Sequence, residues 1–345
     1  MSIAHTIGID ISKSVFQIHG VNATGTPVLT RKVPRAKFAE TMASLPPAFV
    51  GLEACASSHY WSRRLEAFGH TVRLINPAFV KPYVKSQKND ARDAEAICEA
   101  VSRPNMRFVP KKSLEQQDLQ AVHRIRSRLI KERTALVNQI RGQLAEYGIV
   151  VACGIHRIRR ALPSLLDSPE LTPRAELLFR ELYEELRALD RRIEDKDQEV
   201  LRFARADDRC RRLMTMPGIG PMTATALVMS VGNGAEFHNG RHLAAYLGLV
   251  PRQHSSGGRE HLGRITKRGD RYVRTLLIHG ARSVAIRTRR SDGAMRTWVK
   301  DLIDRRGLNH ANVALANKMA RQAWVILAKQ TDYRPLEVAG EAPDG

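Results

Sequence analysis

The sequence predicts an α/β domain over roughly the first third of the chain and a mainly helical architecture beyond it. Three observations carry that prediction. Short apolar runs alternate with helix-forming segments between Thr6 and Val101. Apolar residues then recur at helical spacing from Leu119 to Val200, around one Pro- and Gly-rich break. Hydrophobic residues make up 43% of the 345 positions, an ordinary share for folded cores and too much for a disordered basic tail.

Thr6–Asp10 is a short apolar run that ends in a carboxylate. Phe16–Val21 and Pro27–Val33 follow across short Gly- and Asn-containing connections, and they read as two further strands of an antiparallel meander. Ala36–Leu45 reads as a helix, Ala48–Glu53 as a buried strand, Tyr60–Phe68 as a helix and Thr71–Ile75 as a strand. Asp90–Val101 is a run of strong helix formers. Three antiparallel strands, then helix, strand, helix, strand, helix, is the element order of the ribonuclease-H fold.

In the middle of the chain Leu119, Val122, Ile125, Leu129, Leu136, Ile140 and Leu144 line one helix face. After Gly148, Gly154, Pro163, Pro169 and Pro173, the pattern resumes at Leu178, Leu182, Leu186, Leu189, Ile193 and Val200. Two long stripes around a break predict an antiparallel helical hairpin, paired within the chain or with a second copy. The expected domains are therefore residues 1–110, 111–205 and 206–330, with a frayed tail over 331–345.

Lys and Arg number 56 against 35 Asp and Glu, a formal charge of +21. The first two regions carry +6 and +4, the last +11, and residues 251–300 alone carry +10. So large an excess points to a polyanion, nucleic acid first. No apolar run suggests a membrane span and the first residues lack the pattern of a signal peptide, so a cytosolic chain is expected. Four scattered cysteines (Cys55, Cys98, Cys153 and Cys210) suggest neither a disulfide framework nor a zinc knuckle.

Four carboxylates give the sharpest chemical signal. Asp10 ends the first strand and Glu53 the fourth, while Asp90 and Asp93 share one face of the last helix's first turn. In the ribonuclease-H order those two strand ends are adjacent and the helix crosses beside them. Converging carboxylates repel unless cations neutralise them, and an all-oxygen ligand set suits Mg²⁺ or Mn²⁺. An N-cap role for Asp90 is the bland alternative.

Met216-Pro-Gly-Ile-Gly220 enters a small-residue helix, as in a helix-hairpin-helix motif whose Gly218 and Gly220 let backbone N–H groups approach phosphate. A plain turn between helices is the alternative. Farther on, Gly248–Arg259 and Gly263–Arg271 place glycines and hydroxyls among Arg252, Arg259, Arg264, Lys267, Arg268 and Arg271, the composition of a mobile phosphate-facing loop. Ser255 and Ser256 lie at its centre. A helix opens at Arg271, with a basic face extending through Arg290.

Ile7-Gly-Ile-Asp10-Ile-Ser-Lys13, Gly51-Leu-Glu53-Ala, Ile75-Asn-Pro77, Lys88-Asn-Asp90-Ala-Arg-Asp93-Ala, Pro217-Gly-Ile-Gly220 and Gly248-Leu-Val-Pro-Arg252 with Ser256-Gly257 resemble the DEDD transposases of the insertion-sequence 110/1111 family, nearer its 1111 branch. The resemblance runs in order from about Ile7 to Ala328. It implies a RuvC-like N-terminal domain, a coiled-coil insertion that dimerises, and a C-terminal transposase domain. It further implies a recombinase that cuts and rejoins donor and target DNA under the guidance of a structured RNA encoded by the element. Asp10, Glu53, Asp90 and Asp93 would hold Mg²⁺ or Mn²⁺. Ser256, directly before Gly257, would attack the phosphodiester and form a phosphoserine link, with subunits of a dimer or tetramer sharing the work. A bacterial, nucleoid-associated setting follows. The rival readings are a hydrolytic RuvC-like nuclease without a covalent step, an actin-like ATPase, which lacks its Gly-Thr-Thr phosphate loop here, and a passive nucleic-acid binder.

Overall fold

The computed structural model describes residues 3–85, 89–288 and 294–334. It divides into two compact units between Ser113 and Leu114. In the first, β1 (Thr6–Ile11), β2 (Val15–Val21) and β3 (Pro27–Pro34) form the meander. Next come α1 (Arg35–Ala43), β4 (Phe49–Glu53), α2 (Ser58–Ala67), β5 (Thr71–Ile75), the one-turn α3 (Pro77–Val80), α4 (Asp90–Val101) and a two-residue strand, β6 (Phe108–Val109). The sheet order is β3-β2-β1-β4-β5-β6, with β4 parallel to both β1 and β5 and the other pairs antiparallel. This is the mixed α/β sheet that the element order predicts. β6 is an addition, too short to carry a periodic signal.

Alternation along the strands sorts the side chains into two faces. Ile7 and Ile9 of β1, Phe16 and Ile18 of β2, Val50 and Leu52 of β4 and Val72 and Leu74 of β5 are buried with Phe38 and Met42 of α1 and Trp61 and Leu65 of α2. Phe16, Phe38 and Trp61 meet edge-on, with ring centroids 4.4–5.2 Å apart. On the opposite face lies α4. It fits closely because β1 and β4 present Gly8 and Gly51 to it, directly opposite one another in register.

The second unit opens with α5 (Leu114–Ala145), α6 (Ile155–Leu165) and α7 (Pro173–Ala206). The 32 residues of α5 span about 48 Å at 1.5 Å per residue. Arg126 pairs with Asp197 and Arg133 with Asp190, so α5 and α7 run antiparallel. Much of their stripes closes together: Leu129, Leu136, Ile140 and Leu144 are buried with Leu186, Leu189 and Ile193, whereas Ile125 and Leu178 of the expected stripes are exposed. The open question of partner is thus answered within the chain for these residues. The expected break between stripes contains α6, whose Ile158 and Leu162 join the same core.

Among the described residues this unit holds six more helices: α8 (Asp208–Met214), α9 (Pro221–Val231), α10 (Gly240–Tyr246), α11 (Arg271–Thr288), α12 (Ala294–Arg306) and α13 (Leu308–Lys329). Residues 223–231 of α9 are all buried, and Leu119 of α5 and Ala204 of α7 enter the same core. Between α10 and α11 the expected loop is instead a β-ribbon of β7 (Pro251–Gln253) and β8 (Leu262–Ile265). Lys88, Arg290 and residues 335–345 lie outside the described residues. Among those described, no helix is long and apolar enough to cross a membrane.

Candidate metal centre and nucleic-acid interface

Two Gly-apolar-acid triplets build the acidic site, Gly8-Ile-Asp10 on β1 and Gly51-Leu-Glu53 on β4. Side chains alternate with period two, so Asp10 and Glu53 project from the same face as the glycines, two positions toward the strand ends. A Cβ at Gly8 would lie 2.2 Å from the Ala94 carbonyl oxygen and 2.3 Å from the Cys98 nitrogen; at Gly51 it would lie 2.8 Å from the Val101 Cβ. The glycines let α4 rest on the sheet, and that contact brings its first turn to the acids.

Asn89 caps α4, its side chain accepting the Arg92 N–H at 2.9 Å. The capping role therefore falls to Asn89 rather than Asp90, and Asp90 and Asp93 occupy the first turn. Carboxylate oxygens of Asp10, Asp90 and Asp93 all lie within 4.8 Å of one another. Glu53 stands outside that group, on the neighbouring strand. Burial raises the Cys55 thiol pKa, and the Glu53 and Asp10 carboxylates raise it further, so both acids act on one thiol. Three carboxylates this close repel one another, and an all-oxygen donor set of this size fits a hard divalent cation.

In the second unit every residue of the ribbon from Pro251 to Arg264 is exposed. Ser256 to Arg259 make its turn: the Arg259 N–H donates to the Ser256 carbonyl at 3.1 Å, and Gly257 and Gly258 have φ of +55° and +74°. Positive φ at both central residues is the turn geometry that suits hairpin twist, and it selects Gly-Gly. The two serines differ in surroundings. The Ser255 hydroxyl accepts the His261 N–H at 3.3 Å and the Gln253 side-chain amide at 3.0 Å. The Ser256 hydroxyl makes no hydrogen bond among the described residues and stands at the tip.

Arg252, Arg259, Arg264, Lys267, Arg268 and Arg271 are all exposed around this ribbon, and among the described residues none is paired with a carboxylate. In the helical hairpin, by contrast, Arg126, Arg133, Arg159 and Arg180 are neutralised by Asp197, Asp190, Asp167 and Glu176. Positive charge is spent internally there and left available here.

Known proteins place the chain. A family model described as "Transposase", of the insertion-sequence-110 DEDD type, matches residues 7–149, and the "Transposase IS116/IS110/IS902 family" model matches residues 210–296. A "Probable family 20 transposase" of Pseudomonas aeruginosa is 50% identical over 95% of this chain and 98% of its own length. The "Transposase for insertion sequence element IS1111A" of Coxiella burnetii is 47% identical over 95% and 91%. The chain belongs to the insertion-sequence 110/1111 family of transposases. A more distant relative, the "Pilin gene-inverting protein" of Moraxella bovis, is 27% identical over 59% of this chain and 56% of its own.

In this transposase the Pro217–Gly220 turn joins α8 to α9. Gly218 takes φ +85°, and a Cβ there would lie 2.7 Å from Val284 and 2.8 Å from the Gly280 carbonyl, so its lack of a side chain serves close packing on α11. Gly220 is exposed at the N-terminus of α9 with open space around it. Sequence reasoning passed over His123, which is buried where α5, α9 and α11 meet. Its ring contacts the Tyr272 hydroxyl at 2.9 Å and the Thr225 hydroxyl at 3.0 Å. Burial pulls its pKa down to about 4, helped by Arg126 and opposed by Asp270. Flanked by Val122 and Ile125 of the expected stripe, a lone histidine gave no signal of its own.

Proposed function

We propose that this transposase cuts and rejoins donor and target DNA under the guidance of its element's own structured RNA, through a covalent link at Ser256. One observation carries the reading. A trio of converging carboxylates and an exposed, unengaged serine among unpaired cations occur in a chain of this family.

Asp10, Asp90 and Asp93, with Glu53 from the neighbouring strand, would hold Mg²⁺ or Mn²⁺. Bound there, such an ion neutralises phosphate charge and stabilises developing negative charge on the reacting oxygens. The remaining chemistry belongs to the chain's own side chains. Ser256 Oγ attacks the phosphorus, its Oγ–P bond forming as the P–O bond to the leaving strand breaks. The hydroxyl proton goes to solvent and the leaving strand departs with its oxygen. Because the link remains a phosphodiester, a second strand's hydroxyl can displace the serine and rejoin DNA without new energy input. The name of the Moraxella bovis relative, a gene-inverting protein, suits such rejoining better than hydrolysis.

Arg252, Arg259, Arg264, Lys267, Arg268 and Arg271 bind phosphates of DNA and guide RNA, and Gly220 leaves the start of α9 open to a strand passing the helix-hairpin-helix turn that Gly218 shapes. Copies pair through the distal end of the coiled-coil-like hairpin, where Leu177 and Leu178 remain 68% and 52% exposed beside a cavity of about 390 Å³ lined by Tyr147 and Phe179. The working form is a homodimer that assembles to a tetramer on bacterial nucleoid DNA in the cytoplasm.

The test is a denaturing gel of protein incubated with end-labelled element DNA, Mg²⁺ and RNA from the element's non-coding flank. Wild type and Ser255→Ala should carry a labelled protein band, and Ser256→Ala none. Cut DNA without a band in any lane would make this a hydrolytic nuclease; a band lost only in Ser255→Ala would move the nucleophile by one residue.

A further inference from the structure

The exposed ribbon carries no apolar anchor of its own, so what aims it must lie at its base. Arg274, in the first turn of α11, is only 7% exposed. A single guanidinium nitrogen of this residue, Nη1, donates to the Leu247 carbonyl at 2.8 Å and to the Arg268 carbonyl at 2.9 Å. One carbonyl belongs to the segment leading out to β7, the other to the segment returning from β8. The two segments also touch backbone to backbone. A Cβ on Gly248 would lie 2.2 Å from the Arg268 carbonyl oxygen, and one on Gly269 would lie 1.9 Å from that of Tyr246. The Lys267 N–H donates to Gly248 at 3.2 Å, the Thr266 N–H to Val250 at 2.8 Å, and the Asn317 amide to Leu249 at 3.1 Å.

Burying a guanidinium is costly, and merely closing a loop does not require it. What an arginine adds is a rigid, planar fork whose N–H directions are fixed, so that two carbonyls are held at a set angle. We propose that Arg274 is a positioning residue that fixes the pose of the ribbon and so aims Ser256. The role in the reaction rests on the reading of Ser256 as nucleophile; the role in the ribbon's pose does not. From Val250 to Ser256 the ribbon reaches about 20 Å at 3.3 Å per residue. On such a lever a tilt of roughly 3° moves the tip by about 1 Å, a displacement that costs about 10²-fold in rate.

The test uses the full-length protein with its RNA, DNA and Mg²⁺, comparing wild type, Arg274→Met and Arg274→Lys. Covalent adduct formation is followed at saturating DNA, nucleic-acid affinity is measured separately, and amide hydrogen exchange is mapped by mass spectrometry. In Arg274→Met we expect faster exchange across residues 250–268 only, affinity unchanged, and adduct formation slowed by about tenfold or more. Arg274→Lys, still a multiple donor, should recover part of both. Wild-type exchange in the ribbon of Arg274→Met overturns the proposal, as does faster exchange with an unchanged adduct rate. If wild type itself forms no adduct, the nucleophile reading fails while the exchange map still decides whether Arg274 holds the ribbon. If Arg274→Met fails to fold, Arg274→Lys decides by the same two readouts.

Discussion

Gly8→Ala probes the packing that assembles the acidic site. The added methyl would meet the Ala94 carbonyl and the Cys98 nitrogen at 2.2 and 2.3 Å, and both atoms are helix backbone, so no rotamer change relieves the contact. Helix α4 must retreat by roughly 1 Å, and overpacking of that kind costs about 1–3 kcal/mol. The retreat carries Asp90 and Asp93 away from Asp10, which stays on β1. A trio that now fits within 4.8 Å then opens, and divalent affinity should fall by about 10–100-fold, the range seen when the supports of a ligand set are lost. Gly51→Ala meets the Val101 side chain at 2.8 Å and should do less harm; Gly20→Ala on β2, with only side-chain atoms at 3.1 Å and beyond, should do least. Calorimetric titration with Mn²⁺ gives the affinities, and thermal unfolding followed by circular dichroism gives the stabilities. Wild-type Mn²⁺ affinity in Gly8→Ala, or an equal loss in Gly20→Ala, would refute the reasoning.

Asp10→Asn removes a charge from the acid trio but leaves the basic ribbon untouched; it should abolish strand cleavage on gels while DNA retention on filters stays at the wild-type level. His123 is held neutral by burial, so the unfolded chain takes up a proton at a higher pH than the fold does. Its contribution to stability is complete above the ordinary histidine pKa of 6.5 and is lost as pH falls toward 4. Urea unfolding should therefore show roughly 2 kcal/mol lost from this group between pH 7 and pH 5, and His123→Asn should flatten that slope; an unchanged slope would contradict it. Leu177→Asp combined with Leu178→Asp should shift the light-scattering mass of the free protein toward a monomer, and a persistent dimer would place pairing elsewhere.

The ribonuclease-H element order was legible because each strand is a short run bounded by turn residues, and Thr71–Ile75 and Asp90–Val101 keep their sequence-read limits. Asp10 and Glu53 could be set on neighbouring strand ends from sequence because the element order alone makes β1 and β4 neighbours, although Glu53 stays outside the trio that Asp10 forms with Asp90 and Asp93. What lay beyond reach was the close approach of α4, which depends on the absence of two side chains; the repeated Gly-apolar-acid triplet is its only linear trace. The β7–β8 ribbon was hidden for another reason. Its strands bury nothing, so no hydrophobic alternation marks them, and the Gly257-Gly258 pair that sets its turn reads equally well as a flexible loop. Arg274 was likewise invisible, one arginine among many on a basic helix until its two carbonyl partners were known.

The ribbon's complete exposure has a consequence for how the protein fails. The fold of the second unit draws its free energy from the core around α9, α11 and α13 and from that of the α5–α7 hairpin, and residues 251–264 contribute no buried side chain to either. A copy inactivated at the tip therefore loses nothing that holds it together. On the function proposed above, such a copy would survive, keep its cations, and occupy nucleic acid and partner surfaces as well as an active copy does. Damage in the core removes the molecule, whereas damage at the tip would, on that function, leave a competitor inside each assembly it joins.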